Sequence, residues 1–286
     1  MDRGDAVTLG CGPFRRGEHF LMSASVIYAL RVECEGLVVR VVMNDVDVFD
    51  DWTGARRVVR TEINPYIIEG SNRLEVLLTP MTDDDGQVMD TVRDFQLTLI
   101  KGEPGHGHGH DDPARIAHYE WREDEAPVTP GALTDVWSRQ FNVRPEHAFG
   151  RWVWQDSPSA VPGQEDSLEL LALTEIVHSA LERRDVDAVV ELTAWRDREL
   201  ARAHGISLDA QVAGQRARYE QLFASPAWSL EAFDPQRLAA SPHARGRLMR
   251  VTDAVGDAPI KGTDGKHAFT FPIMACRIDG SWTIVR

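Results

Sequence analysis

At 286 residues, with 43% hydrophobic and 27% charged content, the chain has the balance of a folded globular protein and the length for two domains. Its formal net charge is −14, and the excess is uneven: residues 1–165 hold 28 Asp and Glu against 16 Lys and Arg, residues 166–286 hold 17 against 15. An acidic half repels nucleic-acid phosphates, so no nucleic-acid partner is expected, and it favours a basic protein surface.

No apolar run approaches the roughly 18 residues of a membrane span, and no membrane association is expected. Met1 to Asp5 are polar and lack a basic stretch followed by an apolar one, so a cytoplasmic setting is expected. The cysteines, Cys11, Cys34 and Cys276, are far apart and odd in number. Reduced thiols fit them, with Cys34 and Cys276 as small core residues.

In chain order, residues 20–22 and 26–32 are rich in apolar and β-branched types and read as strands. Residues 37–43 are an apolar, valine-rich run of strand length, and Asn44 with Asp45 offers a turn. Val46, Val48 and Phe49 then fall among Asp45, Asp47 and Asp50, as in a strand with one wet face. Trp52, Thr53 and Gly54 turn the chain again, and Val58 and Val59 continue it. Pro65 lacks an N–H and interrupts any ladder, while Ile63, Tyr66 and Ile68 can anchor the loop around it. Residues 73–78 form the next strand. Asp83, Asp84, Asp85 and Gly86 make an acidic hairpin loop, and the run 92–100 returns on Phe95, Leu97 and Leu99.

Residues 102–114 are Gly-rich and hold His106, His108 and His110, the pattern of an exposed loop. Aromatics resume beyond it. Tyr119 with Trp121, Trp137 with Phe141, and Trp152 with Trp154 each suit a strand, so the first domain extends to about residue 158 with the His loop inserted in it. Ser157, Pro158, Pro162 and Gly163 mark the boundary.

Helical spacing follows. Asp166 or Ser167 can cap a first helix whose stripe is Leu168, Leu171, Ile176, Val177, Ala180 and Leu181. A second helix carries Val186, Val189, Val190, Thr193, Leu200 and Ala201 and ends at His204 and Gly205. Ser207 caps a third, with Leu208, Val212, Tyr219, Leu222 and Phe223 on its stripe, and Pro226 closes it. After Trp228 the pattern is of strands: weak over 230–233, stronger over 248–251, then two C-terminal runs joined by Asp279 and Gly280, a strong hairpin signal.

Two resemblances follow from these residues. Pro65, Tyr66, Ile67 and Ile68, then Gly70 and Asn72, followed by Leu74 and Val76, resemble the phrase that carries the chain between sheets in a galactose-binding-like β-sandwich. Helices first, then a meander ending in Phe271, Pro272, Ile273, Arg277, Asp279, Gly280 and Trp282, looks like the NTF2-like α+β fold. The expected fold class is multidomain, mainly β plus α+β. An acidic antiparallel β-sandwich would occupy residues 1–158, a linker 159–166, and an NTF2-like domain of helices on a curved sheet 167–286.

The chemistry-bearing candidates are few. His106, His108 and His110 could ligate a transition metal, but alternating spacing in a glycine-rich loop supplies no rigid geometry, and a solvated loop outweighs it. The acidic run at 83–85 with Asp90 lacks the twelve-residue loop and closing glutamate of an EF-hand. An NTF2-like pocket would offer His178, Asp197, Tyr219 and His267, although His178 and Tyr219 also suit polar edges of amphipathic stripes. Trp52, in a turn with Asp50, Asp51 and Thr53, is the foremost candidate for an exposed contact, with Asp83, Asp84 and Asp85 as acidic companions. No nucleophile elbow, phosphate loop, dinucleotide fingerprint or zinc-protease motif occurs, and no cofactor is implied. The leading expectation is a non-catalytic protein-binding module with a basic partner, in concrete form an immunity protein or other cognate inhibitor of a bacterial toxin. The alternative is a carbohydrate- or small-molecule-binding protein, in one form an enzyme using the NTF2-like pocket.

Overall fold

Alternation of side chains decides the first half of the chain. The computed structural model describes residues 26–83, 85–102, 114–121, 137–143, 149–159 and 163–286. In it Leu37–Met43 (β2) and Asn72–Pro80 (β5) bury every second side chain. Ile27–Glu35 (β1) and Asp94–Gly102 (β6) each send Leu30 and Val32, or Leu97 and Leu99, into the same core. With Val46–Asp51 (β3), Arg57–Glu62 (β4), Ala114–Trp121 (β7) and Trp137–Val143 (β8) they build two antiparallel sheets, ordered β4-β1-β6-β7 and β3-β2-β5-β8. Val39, Val41, Leu74 and Val76 from one sheet share their core with Leu30, Val32, Phe95 and Trp121 from the other. Each such side chain contributes about 1.5–3 kcal/mol through burial.

The stretch from Ile63 to Asn72 is held by amides. Asn64 is fully buried; its Oδ1 accepts from Tyr28 N at 2.6 Å and its Nδ2 donates to the Val26 carbonyl at 2.8 Å. Asn72 Oδ1 accepts from Ile68 N at 2.7 Å and from Asn44 Nδ2 at 2.8 Å. Asn44 Nδ2 also donates to the Tyr66 carbonyl at 2.8 Å, and Asn44 Oδ1 accepts from Arg73 N at 3.0 Å. Asn44 and Asp45 have φ of 52° and 64°, the hairpin turn whose twist suits the strands on either side.

The run 102–114 joins β6 to its own neighbour β7, with Lys101 opposite Ala114. Deleting residues 104–112 is therefore expected to leave the unit folded. Truncation at residue 103 removes β7 and β8, one strand from each sheet, and is expected to unfold it; urea melts of the two variants make the comparison. His106, His108, His110 and Asp84 lie outside the described residues, as do Cys11 and the strand expected over 20–22.

The chain divides into one unit spanning Leu21–Gly150 and a second that includes Arg151–Arg286. The break falls earlier than residue 158, and the strand expected through Trp152 and Trp154 is absent. Val153–Gln155 is a single 3-10 turn. Trp152 N donates to Gln155 Oε1 at 2.8 Å and Val153 N to Glu199 Oε1 at 2.6 Å, so the amides a ladder would use are already spent.

In the second unit Gln164–Glu182 (α1), Val186–Leu192 (α2), Ala194–His204 (α3) and Leu208–Phe223 (α4) precede the strands. Gly163 rather than Asp166 or Ser167 starts α1, with the Asp166 carboxylate accepting from Gly163 N at 3.0 Å. Ser207 caps α4 as expected, accepting from Ala210 N at 3.1 Å. The single helix expected over 186–204 is two, because Thr193 leaves helical geometry (φ −102°, ψ 9°) and turns its hydroxyl back to the Val189 carbonyl at 3.0 Å. Leu168 and Ile176, expected in the core, are 60% and 54% exposed.

Seven strands follow: Ser229–Leu230 (β9), Leu238–His243 (β10), Leu248–Asp253 (β11), Ile260–Thr263 (β12), Ala268–Phe271 (β13), Ile273–Ile278 (β14) and Ser281–Ile284 (β15). They form antiparallel sheets β10-β11-β14-β15 and β13-β12-β9. Pro272 cannot donate to a ladder, and the run expected as one strand over 267–278 breaks there and serves both sheets. Asp279 and Gly280 make the hairpin turn between β14 and β15, both at positive φ. Leu170, Val177 and Leu181 of α1 and Tyr219 and Phe223 of α4 pack with Trp228, Phe269, Phe271 and Ile273 in one core. Among the described residues no helix is long and apolar enough to cross a membrane.

Candidate functional site

The turn after β3 is built by Asp51. This residue is only 4% exposed. Its Oδ1 accepts from Thr53 N at 2.9 Å and Thr53 Oγ1 at 2.7 Å, and its Oδ2 lies 3.1 Å from Arg57 Nε. The sequence placed Asp51 among the contact residues; here its carboxylate is spent inside the fold. Cys34 Sγ sits 3.9 Å from the same carboxylate, and burial together with that negative charge pushes the thiol up to about 11. What the turn presents outward is Trp52, 57% exposed.

Two glycines bring a second segment against this turn. Gly36 N donates to the Gly54 carbonyl at 2.9 Å. A Cβ on Gly54 would lie 2.6 Å from Met81 Cγ, and one on Gly36 would lie 2.1 Å from the Val92 carbonyl oxygen. Both glycines have positive φ, so the close approach and the turn geometry demand the same residue type. Met81 and Val92 are thereby held against these turns. Met89 N donates to the Met81 carbonyl at 2.9 Å, and Asp83 Oδ1 accepts from Asp85 N at 3.1 Å and Gln87 N at 2.8 Å.

Trp52, Asp83 and Asp85, distant in sequence, thus lie in turns brought to one end of the unit. Val92, 72% exposed, and Met89, 39% exposed, lie in the same segment, Val92 against Gly36 and Met89 bonded to Met81. Asp85 and Asp90 are exposed and make no ion pair among the described residues. Residues 50–57 and 81–94 together carry seven Asp and three Arg. The turns at this end expose three large apolar side chains, Trp52, Met89 and Val92, and the carboxylates of Asp85 and Asp90. Val92 was read as the first residue of the following strand and Met89 was not singled out; the signal that could have found Val92 was Gly36, whose φ and contact hold it in place.

The four residues expected in a C-terminal pocket are dispersed. His178 is buried on α1, with Nε2 2.9 Å from the Glu231 carbonyl and its ring 5.5 Å from Phe233, which fixes the segment after β9. His267 is exposed on the β12–β13 turn, its Nδ1 3.3 Å from Asp264 Oδ2. Backbone N–H groups of His267 and Lys266 hold Asp264 down to about 2. Asp197 on α3 and Tyr219 on α4 each bond across to the facing helix, to different partners. Asp197 Oδ1 accepts from Gln211 Nε2 at 3.2 Å, Thr193 Oγ1 lies 3.2 Å from Asp197 Oδ2, and Arg196 Nη2 donates to Tyr219 Oη at 3.2 Å with its guanidinium over Phe271. Arg196 and Gln211 were not singled out in the sequence.

Burial raises the Asp197 carboxyl above its ordinary value, outweighing Arg196 and the two hydrogen bonds. The folded chain then holds this proton more tightly than the unfolded chain. Between the ordinary and the raised value the stability of the second unit falls as pH rises, and the loss persists above it. Asp197→Asn is expected to remove that slope and leave the variant more stable than the parent at neutral pH, checked by thermal melts across pH 3–8.

Among the described residues no group of three or more His, Cys, Asp or Glu is placed to hold a metal ion. No family model matches the chain, and no curated protein or solved structure matches it either.

Proposed function

We propose that the protein is a non-catalytic protein-binding module that engages a partner with a basic surface through the Trp52 end of its first unit. The observation that carries this reading is the exposure of Trp52, Met89 and Val92 in turns that the Gly36 and Gly54 contacts bring to one end of the unit, with Asp85 and Asp90 exposed among them. Large apolar side chains on fixed backbone bind with little ordering cost, and an exposed tryptophan among them suits an interface anchor. The carboxylates supply steering and select for Lys and Arg opposite them. The concrete form of the reading is an immunity protein or similar cognate inhibitor acting in the cytoplasm on a bacterial toxin. Two sheets sharing one core support a galactose-binding-like sandwich for the first unit, and helices followed by antiparallel strands support an NTF2-like second unit.

The test is a pull-down from the source cell at low and at physiological salt, with parent and Trp52→Ala bait. A partner that is recovered by the parent, weakens with salt and loses roughly 30-fold or more in affinity with the variant is the expected result. Recovery of no protein at low salt would sink the reading. An exposed indole also suits stacking on a sugar face, so glycan-array binding that vanishes in Trp52→Ala would instead support the carbohydrate-binding alternative.

A further inference from the structure

The inner side of α1 is accounted for: Leu170, Val177, Ala180 and Leu181 lie in the core of the second unit. Its outer side carries a second apolar ridge. Leu168 and Ile176 are largely exposed, and Ala172 stands exposed between them. Steps of four residues set these side chains along one ridge, about 6 Å apart along the axis. The ridge reads large, small, large, and is symmetric about Ala172.

We propose that this ridge is the contact between two copies of the chain, paired through antiparallel α1 helices about a two-fold axis at Ala172. That operation sets Leu168 of each copy against Ile176 of the other, twice. Ala172 meets itself at the crossing, where a small side chain lets two backbones approach closely.

One charge pair beside the ridge fits the same operation, while exposed Glu175, three residues from Ala172, opposes it. Glu165 and Arg183 are separated by five helical turns, so they project on one side of the ridge, and Gln164 and Glu182 are related in the same way on the other. Antiparallel pairing brings Glu165 to within about one turn of Arg183 of the second copy, and Gln164 closer still to Glu182. All four are exposed, and among the described residues Glu165, Glu182 and Arg183 make no ion pair. Glu169, next to the ridge, is held by Arg277 Nη2 of its own chain at 2.9 Å, which lowers its repulsion toward the second copy. A single helix pair is a small interface, so a concentration-dependent monomer–dimer equilibrium is expected rather than a permanent dimer. The surface is independent of the Trp52 end.

Sedimentation equilibrium of the full chain should show mass rising from one chain toward two across the micromolar range. Ile176→Asp should weaken the dimer at least ~10-fold by placing an unpaired charge in the contact. Glu165→Arg should also weaken it, and adding Arg183→Glu should restore it. In a Cys11→Ser background, where the remaining Cys34 and Cys276 are buried, Ala172→Cys should cross-link to itself under mild oxidation much faster than Glu175→Cys. A mass of one chain up to roughly 0.5 mM, beyond the range of specific weak complexes, overturns the proposal. So does a dimer indifferent to Ile176→Asp, or equal cross-linking at positions 172 and 175.

Discussion

Glu199→Ala should destabilise the second unit by about 3–5 kcal/mol, because it strands a buried cation. Glu199 Oε2 lies 2.6 Å from Arg286 Nη1, and both side chains are nearly inaccessible to water. Glu199 Oε1 takes Val153 N at 2.6 Å and Arg202 Nη2 at 3.2 Å. The centre of the Trp152 ring lies 4.3 Å from Arg202 Cζ and 5.1 Å from Arg286 Cζ. One carboxylate therefore organises two cations, a backbone amide and a fully buried indole. Glu199→Gln keeps an acceptor for Val153 N and should fall between parent and alanine. The pair Glu199→Leu with Arg286→Met removes both charges and should recover part of the loss, since the cost lies in the unpaired partner. Urea unfolding followed by tryptophan fluorescence makes the measurement, and a loss under about 1 kcal/mol for Glu199→Ala would show that Arg286 finds water instead.

Asn64→Ala is the counterpart in the first unit, with an expected cost of about 2–4 kcal/mol. Alanine leaves Tyr28 N and the Val26 carbonyl without the partners they have now, inside a core that water does not reach. Asn64→Asp separates the two contributions. It preserves the acceptor for Tyr28 N but sets a carboxylate oxygen against the Val26 carbonyl, so it too should be destabilised. Hydrogen exchange at the Tyr28 amide gives a local readout, with protection falling in the alanine variant and retained more fully in the aspartate one. Unchanged exchange in Asn64→Ala would mean that a water replaces the amide.

The elements that could be read from the residues are those whose signal is local. The alternation in β2, β5 and β6, the Asn44–Asp45 and Asp279–Gly280 turns and the Ser207 cap each rest on a few adjacent side chains. The misses share a different cause. β10 contains Pro242 and small residues and, among the described residues, pairs only with β11, an edge position that tolerates what a central strand would not. On α1 an apolar period was visible, yet it counted two ridges as one, and only the packed sheets decide which ridge turns inward. Trp52 was legible as an exposed turn residue. That Asp51 would be consumed by Thr53 and Arg57, and that the 81–93 segment would lie against the turn, depend on sheet order, which no local pattern encodes.

That sheet order also sets a timetable for the nascent chain. Successive strands of the first unit switch between its two sheets five times, and β5 remains an unpaired edge until β8 arrives, with Asn72 waiting for Val143. Little of this unit can close early during synthesis, and most of its ordering entropy is lost before distant pairings compensate for it. Its folding should therefore be slow, on the order of milliseconds to seconds, with β5 as the exposed template most vulnerable to intermolecular pairing while the ribosome is still at work.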